Sequence, residues 1–513
     1  WLNRSRRPPK RWAMARALPQ ISALLLAAAV PLLSACSGAT EGALAIAFVD
    51  GGAAGDNPDA ARDLRLTSAA SHMRAATETG LVTLNAAGEV VPALADRWIV
   101  TDDGLSFIFR LRDGRWPDGS DLTAESVRRR LRSALRRLDG TPLALDLKSV
   151  AEVRAMAGRV IEIRLAAPTP YLLHLLAQPE LVLVHEGGGT GDMLLEQQGR
   201  DAVLVMRPPA LRGLPEQADW VEHVRPLLLR PMTIGQALAG FDEGSIDLVL
   251  GAGLAEWPLA NTGPLSRGTV RLDPVLGLFG LHVRRAEGLL ATEAGREAVA
   301  LAIDRAALIE PFGIGGWTPT NRMVAPDLPA DPGLVGERWA AIPIAQRQAV
   351  AALRVARWSA ANGGQAPRLT LALRQAPGLN RLFDTLAGQL AASGIRLERV
   401  AEDAPEADLM LVDRVARYGA SEWFLHQFDC GVQRAGGLCV SAADTLVAEA
   451  QVATDTATRA RLMAEAERTL AQANIFIPFG QPIRWAQVRS NITGFAPNAW
   501  AFHPLPPLAE IIR

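Results

Sequence analysis

The chain has 513 residues and a formal net charge of -1 at pH 7. A chain of this length exceeds what one hydrophobic core supports, so about two to four domains are expected. The near-zero charge provides no bulk electrostatic attraction for nucleic acid, and a nucleic-acid partner is therefore not expected. The seven histidines do not cluster at the spacing of metal ligands, so the sequence predicts no metal site.

The first 36 residues predict an export signal. Arg11 and Arg16 precede an apolar run over residues 21–33, which fits a signal peptide better than a membrane-spanning helix. Met14 is the predicted start, because beginning there leaves a short basic segment before the apolar run. The run ends in Leu-Ser-Ala-Cys at residues 33–36, which resembles the lipobox of bacterial lipoproteins, so Cys36 is the predicted lipidation site. An ordinary signal peptide with a coincidental cysteine remains the alternative.

Residues 96–127 predict a strand, two turns and the start of a helix. Alternating apolar residues over 105–111 are typical of a half-buried strand. Two Asp-Gly pairs then favour turns, and Trp116 between them supplies an apolar anchor. Thr123 is the predicted N-cap of the helix that follows.

This stretch resembles the signature of family 5 of the bacterial extracellular solute-binding proteins, the dipeptide, oligopeptide and nickel receptors of ABC importers. The matching residues are Pro92, Leu94, Ala95, Trp98, Asp103, Gly104, Phe109, Leu111, Arg112, Trp116, Asp118, Gly119, Thr123, Ala124 and Val127. The resemblance extends over about residues 43–497. It implies an α/β, two-lobed periplasmic binding protein of class II type, cluster C, with an extra inserted domain and mixed sheets flanked by helices.

Domain boundaries follow from the same resemblance. Lobe I is expected from residues 42–82, 186–275 and 487–513, the inserted domain from 83–185, and lobe III from 276–486.

A β-α-β pattern over residues 369–400 predicts an α/β lobe from its periodicity alone. Helical apolar spacing continues over residues 295–309, where Asp304 and Arg305 are predicted to form an ion pair or a helix cap. A single helix is predicted over residues 448–472.

No catalytic motif is present in the sequence. It contains neither a Gly-x-Ser-x-Gly elbow nor a His-Glu-x-x-His helix, and the glycines at 187–191 lack the following Gly-Lys-Ser/Thr of a phosphate loop. Enzymatic activity and a cofactor are therefore not expected. A binding protein instead needs two lobes, a crevice and a hinge that closes over the ligand.

The resemblance locates the ligand loop at residues 413–425. In peptide-binding members an aspartate of this loop receives the free amino terminus of the peptide, but Arg417 occupies that position here and Arg414 replaces a tryptophan. Because an arginine repels an ammonium group, we expect a ligand that presents a carboxylate or another anion to Arg417. A local misalignment, or pairing of Arg417 with Asp413 or Glu422, remains the alternative. The predicted ligand-binding residues are Arg414, Arg417, Tyr418, Trp423, Phe424 and Phe279.

Two further cysteines stand close together near the end of the chain. In an exported protein, Cys430 and Cys439 are expected to form a disulfide that closes a short loop, although two unpaired buried thiols remain possible.

The predicted function is that of a periplasmic, lipid-anchored, monomeric receptor that captures a peptide or other small solute and delivers it to an ABC permease. The alternative is a divergent envelope lipoprotein of the same fold that has lost transport and acts in interaction or assembly.

Overall fold

The computed structural model describes residues 42–49, 68–186, 188–198, 201–263, 266, 268–326, 328, 331–432 and 436–511. The predicted signal peptide, Cys36 and the glycine-rich segment after the first strand lie outside the described residues.

The strands are, in chain order, β1 (Leu44–Val49), β2 (Val82–Leu84), β3 (Val90–Pro92), β4 (Ala95–Val100), β5 (Ser106–Leu111), β6 (Val150–Ala155), β7 (Val160–Leu165), β8 (Val184–His185), β9 (Gly188–Gly189), β10 (Met193–Gln198), β11 (Ala202–Met206), β12 (Leu227–Met232), β13 (Leu248–Gly253), β14 (Val270–Leu272), β15 (Gly277–Val283), β16 (Arg368–Ala372), β17 (Arg396–Val400), β18 (Leu409–Val415), β19 (Phe476–Gly480) and β20 (Arg484–Val488). The α-helices are α1 (Ser68–Thr77), α2 (Ala124–Arg137), α3 (Pro142–Asp146), α4 (Leu172–Leu176), α5 (Ile234–Glu243), α6 (Glu293–Ala302), α7 (Arg305–Ile309), α8 (Ile344–Ala361), α9 (Pro377–Ala392), α10 (Ser421–His426), α11 (Ser441–Val452), α12 (Thr456–Ala473) and α13 (Leu505–Ala509).

Lobe I is built on a seven-stranded mixed sheet in the order β10-β11-β12-β1-β13-β20-β14. Strand β20 belongs to this sheet, although residues 484–486 were expected in lobe III. Its central strand β1 is parallel to both neighbours, β12 and β13. Every residue of β1 is apolar and buried, which is typical of a parallel strand covered on both faces. One face of β1 packs with apolar residues of α1 and α13, and the other packs with α5.

The inserted domain contains a four-stranded antiparallel sheet in the order β4-β5-β7-β6. The predicted strand and helix start are confirmed there as β5 and α2. The side chain of Thr123 accepts a hydrogen bond from the Ser126 amide and caps α2. Trp116 is 2% exposed, and its Nε1 donates to Ser126 Oγ at 2.9 Å, so the signature stretch forms a scaffold.

Lobe III is built on a five-stranded sheet in the order β17-β16-β18-β15-β19. The predicted β-α-β unit is confirmed as β16, α9 and β17, whose two strands are parallel. The prediction of one helix over 448–472 is wrong, because the chain breaks between α11 and α12. Asp455 ends the break by accepting from the Thr458 amide at 2.7 Å, which starts a new helix. Asp304 caps α7, as predicted.

The chain crosses between the two large sheets twice, from β14 to β15 and from β19 to β20. The two crossing segments touch one another, because the Gly277 amide donates to Gln481 Oε1 at 2.9 Å. The Asp273 amide also donates to the Arg484 carbonyl at 3.0 Å. The connection between the lobes is therefore a pair of adjacent segments.

Candidate functional site

A cavity of about 370 Å³ lies between lobe I and lobe III, and we name it the interlobe cleft. Its walls include Val49 at the end of β1, Gly253 at the end of β13, Ala372 at the end of β16, and Asp413 near the end of β18. Open α/β sheets bind ligands outside the carboxyl ends of their parallel strands. The cleft is the place where such ends from both lobes face one another, so it is the candidate ligand site.

Two ion pairs span the interlobe cleft. Glu256 of lobe I accepts from Arg374 Nη2 at 2.8 Å, and its other carboxylate oxygen accepts from the Gly253 amide at 3.1 Å. Asp413 accepts from Arg484 Nη1 at 2.8 Å. These contacts join the lobes directly and neutralise four of the charged residues that line the cleft.

Arg414 differs from the other lining arginines because its charge has no counterion in the described part of the chain. Its Nη1 donates to Gln427 Oε1 at 3.1 Å, and no described carboxylate forms an ion pair with it. The side chain is accessible from the cleft, yet burial against protein lowers the pKa of the guanidinium. A partly dehydrated cation without a counterion favours binding of an anion. Glu402 also lines the cleft and is exposed.

Arg417, the residue expected to receive the ligand anion, is engaged elsewhere. Its Nη1 donates to Glu180 Oε2 at 2.6 Å and to Gln178 Oε1 at 3.2 Å, and both partners belong to the inserted domain. Glu180 is buried, whereas the Arg417 side chain is 39% exposed. The partner is therefore neither Asp413 nor Glu422, and the charge of Arg417 is neutralised within the protein.

The contact between the inserted domain and lobe III, which we name the junction, includes a buried polar cluster. Asp146 Oδ1 accepts from the Tyr418 hydroxyl at 2.7 Å and lies 2.5 Å from His426 Nδ1. Tyr418 is fully buried and stacks on Tyr171, with 4.3 Å between ring centroids. Burial raises the pKa of the Tyr418 hydroxyl, with the Asp146 charge adding to this effect. A continuous hydrophobic core includes apolar residues of both domains.

The structure separates the six predicted ligand-binding residues. Arg414 lines the interlobe cleft, and Arg417 and Tyr418 lie in the junction. Trp423, Phe424 and Phe279 are between 0% and 3% exposed and pack in hydrophobic cores.

The two cysteines near the end of the chain form a disulfide. Cys430 and Cys439 are bonded, with their Cα atoms 5.2 Å apart, and the bond closes a loop with a sequence separation of 9.

The cleft residues Glu256, Arg374 and Arg484 were not among the predicted ones. Arg374 comes just after the first strand of the predicted β-α-β pattern, so its position at a carboxyl end was a usable signal. Glu256 also lies close to a carboxyl end, because it follows β13. Arg484 follows no such rule, because its place in the cleft depends on the pairing of β13 with β20.

A second cavity, of about 550 Å³, lies beside the junction. Its walls are mostly apolar and include Pro168 and Tyr171 of the inserted domain, Met463 of lobe III, and Trp500. The Glu422–Arg459 ion pair, with 2.6 Å between Oε1 and Nη2, lines the same cavity.

Among the residues that the structure describes, no three His, Cys, Asp or Glu side chains are grouped in a way that would hold a metal ion. Within the same ranges, no helix combines the length and the apolar character needed to cross a membrane.

Comparisons with known proteins match one segment of the chain to a family and nearly the whole chain to a known fold. Residues 89–206 match the family described as bacterial extracellular solute-binding proteins, family 5 Middle. The chain is 33% identical over 121 residues to the probable deoxycholate-binding periplasmic protein YgiS of Escherichia coli (strain K12). That alignment covers 20% of this chain and 22% of YgiS, so it spans about a fifth of the relative.

Solved structures share the fold over nearly the whole chain. Haemophilus influenzae OppA, in complex with the peptide RPPGFSPFR, superposes with a TM-score of 0.76 at 18% identity, covering 92% of this chain and 99% of OppA. The Escherichia coli murein tripeptide binding protein MppA gives a TM-score of 0.73 at 18% identity, with coverages of 92% and 98%. Residues 89–206 thus match family 5 of the bacterial extracellular solute-binding proteins, and the chain as a whole shares the two-lobed α/β fold of OppA and MppA.

Proposed function

We propose that this protein is the solute receptor of an ABC importer and that it binds a small solute through a carboxylate in the interlobe cleft. The observation that carries the proposal is Arg414, a cation without a described counterion. It lies where the carboxyl ends of parallel strands from both lobes face one another. Closure of the lobes over the solute would remove this charge from water, so an anionic group on the solute offsets the cost of its dehydration.

The ligands named for the similar proteins fit this chemistry. Deoxycholate, named for YgiS, and the free peptide bound to OppA each carry a carboxylate. A peptide or another small carboxylic acid is therefore the proposed solute class for this chain.

Location and assembly form part of the proposal. YgiS is named as a periplasmic protein, which supports export of this chain to the periplasm. We further propose that Cys36 carries a lipid anchor and that the monomeric receptor delivers its solute to a separate permease, which would do the work of transport.

The test is a binding titration of the purified protein with three forms of a tripeptide panel: free acids, C-terminal amides and N-acetylated peptides. We expect N-acetylation to be tolerated and amidation to weaken binding by about tenfold or more, because it removes a charge-assisted hydrogen bond. Arg414→Gln should cause the same loss as amidation.

The control is Arg396→Gln, which removes an equal charge from an exposed side chain on β17 of the same lobe. It should leave the affinity unchanged. A strict requirement for the free amino group, together with tolerance of amidation, would contradict the proposed role of Arg414.

One observation favours the alternative function, an envelope protein that no longer transports. The junction joins the inserted domain to lobe III through a continuous hydrophobic core, so opening of the lobes has to expose apolar surface. If no peptide or small carboxylic acid raises the melting temperature, the interaction or assembly role becomes the better explanation, since a ligand that binds the folded state stabilises it.

A further inference from the structure

The second cavity, which lies beside the junction, is larger than the interlobe cleft, and we name it the junction cavity. Its volume is about 550 Å³, against about 370 Å³ for the cleft, and the two cavities share no lining residue. Pockets that bind small molecules typically have volumes of about 300–1,000 Å³ and mostly apolar and aromatic walls. The junction cavity meets both conditions, so it is a candidate site separate from that of the proposed function.

The walls of the junction cavity come from three parts of the chain. The inserted domain provides Pro168 and Tyr171, α12 of lobe III provides Ala460 and Met463, and the C-terminal segment provides Trp500. Tyr171, Ala460 and Trp500 are half-buried, which leaves part of each side chain open to the cavity. A compound in this cavity would therefore contact the inserted domain and lobe III at the same time.

The two aromatic walls are held in place by other residues. Trp500 Nε1 donates to the Gly88 carbonyl at 2.9 Å. Tyr171 stacks on Tyr418, and its hydroxyl accepts from Arg459 Nη2 at 3.4 Å. Because the polar atoms of both rings are already engaged, the rings offer apolar surface to a ligand. Walls that are fixed before binding also reduce the entropy cost of binding.

The charged side chains that line the junction cavity neutralise each other. Glu422 Oε1 accepts from Arg459 Nε at 3.1 Å and from Arg459 Nη2 at 2.6 Å. Arg459 Nη1 donates to the Pro168 carbonyl, so each nitrogen of this guanidinium is engaged. The Glu422 and Arg459 side chains are 6% and 15% exposed. A charged ligand would lose water here without gaining a counterion, which disfavours its binding.

The polar side chains that remain for a ligand are uncharged. Burial lowers the pKa of His174, so its ring is neutral at neutral pH, and its nitrogens have no hydrogen-bond partner within the described ranges. The other polar side chains of the lining are the hydroxyls of Ser421, Thr454 and Thr456. A neutral imidazole can donate to a carbonyl or accept from a hydroxyl, depending on its tautomer.

We infer that the junction cavity binds an uncharged organic compound with a flat ring skeleton and a hydroxyl or carbonyl group. The skeleton packs on Tyr171, Met463 and Trp500, and the polar group forms a hydrogen bond with His174. Aromatic walls suit such a skeleton because rings attract one another in offset-stacked and edge-to-face arrangements. The inference is independent of the proposed function, which concerns a carboxylate bound by Arg414 in a different cavity.

The test is calorimetric titration of the full protein with 2-naphthol and, in a separate arm, with 2-naphthoate. The two probes share a fused aromatic ring, but at neutral pH only the naphthoate is charged. We expect saturable binding of 2-naphthol. Ala460→Phe should weaken this binding by about tenfold or more, because the added ring occupies the cavity. Any binding of 2-naphthoate should depend on Arg414 and not on Ala460.

Two further variants show where 2-naphthol binds. Ala457→Phe makes the same change three residues earlier on α12, at an exposed residue outside the lining, and should leave the affinity unchanged. Arg414→Gln changes the interlobe cleft, and 2-naphthol should still bind with wild-type affinity because the two cavities share no residue.

Four outcomes would overturn the inference. The first two are the absence of saturable 2-naphthol binding and wild-type affinity of Ala460→Phe. The third is loss of 2-naphthol binding in Arg414→Gln, which would assign the ring to the cleft. The fourth is equally tight binding of 2-naphthoate that Ala460→Phe weakens, since the cavity would then accept a charge. If Ala460→Phe does not fold, Ala460→Leu adds a smaller side chain and should still weaken the binding of 2-naphthol.

Discussion

The interlobe cleft and the junction are both contacts between separate sheets, but they are built differently. The cleft is an open cavity between lobe I and lobe III. The two lobes meet there through the Glu256–Arg374 and Asp413–Arg484 ion pairs. The junction instead has a continuous hydrophobic core, which encloses the hydrogen-bonded cluster of Asp146 and Tyr418. Ion pairs that water reaches exchange easily, whereas a buried hydrogen-bonded cluster is costly to break. The cleft is thus suited to exchange of a solute and the junction to holding two domains together.

The largest effect should come from Asp146→Ala, which leaves the Tyr418 hydroxyl and His426 without their shared acceptor in a buried site. We expect a loss of about 3 kcal/mol in the free energy of unfolding, because two buried donors lose their partner. Urea denaturation measures this loss directly.

The matched control is Asp139→Ala, which makes the same chemical change at an exposed position of the inserted domain. It should change the unfolding free energy by about 0.5 kcal/mol or less. Equal effects of the two substitutions would mean that Asp146 in the junction contributes no more to stability than an exposed aspartate.

A second effect should come from lowering the pH. It should reduce the free energy of unfolding through a buried histidine in the core of lobe I, not through the residues of the cleft. His72 Nδ1 lies 2.7 Å from the Ser68 carbonyl, and its Nε2 accepts from the His503 amide at 3.2 Å, an arrangement that requires the neutral ring. Burial lowers the pKa of His72 to about 3. The unfolded chain, with a histidine pKa of about 6.5, therefore binds this proton first as the pH falls.

The contribution of neutral His72 to stability is thus complete above about pH 6.5 and declines down to about pH 3, by about 1.4 kcal/mol per pH unit. At pH 5 the loss is about 2 kcal/mol. His72→Gln should reduce the slope of the unfolding free energy against pH in this range, and His223→Gln, at a more exposed histidine, should not. An unchanged slope in His72→Gln would show that other groups cause the acid sensitivity.

The smallest effect should come from Glu180→Gln, which removes the carboxylate that pairs with Arg417 at the edge of the junction. Because Arg417 is 39% exposed, water screens the pair, and we expect a loss of about 1 kcal/mol. Thermal unfolding at low and high salt measures this loss, which should shrink as salt rises. Glu449→Gln, at an exposed position of α11, serves as the control. A wild-type melting temperature in Glu180→Gln would remove Arg417 from the groups that hold the junction.

Local features of the fold could be predicted because their causes lie within a few residues. Thr123 caps α2 through the amide three positions later, and the strands on either side of α9 alternate over short runs. The break between α11 and α12 was missed because residues 453–455 include neither Gly nor Pro, and only Asp455 marks the new start.

The candidate site was less predictable because its contacts are distant in sequence. Arg417 and Glu180 are separated by 237 residues, and Asp146 and Tyr418 by 272. The resemblance predicts a ligand loop at residues 413–425, but whether Arg414 or Arg417 faces a cavity depends on how the inserted domain packs on lobe III. Packing of that kind leaves no local pattern in the chain.

The paired crossing segments determine how the two large sheets can move. Two adjacent tethers, joined at Gly277 and Gln481 and stiffened by Pro274 and Pro482, resist shear and twist because either motion would stretch one of them. Rotation about a line through both segments is the motion that these segments restrict least, and the apolar contact at the junction is what opposes it. Arg484 lies next to that axis, so a rotation changes the distance to Asp413 only slightly. The ion pair between them therefore opposes opening weakly.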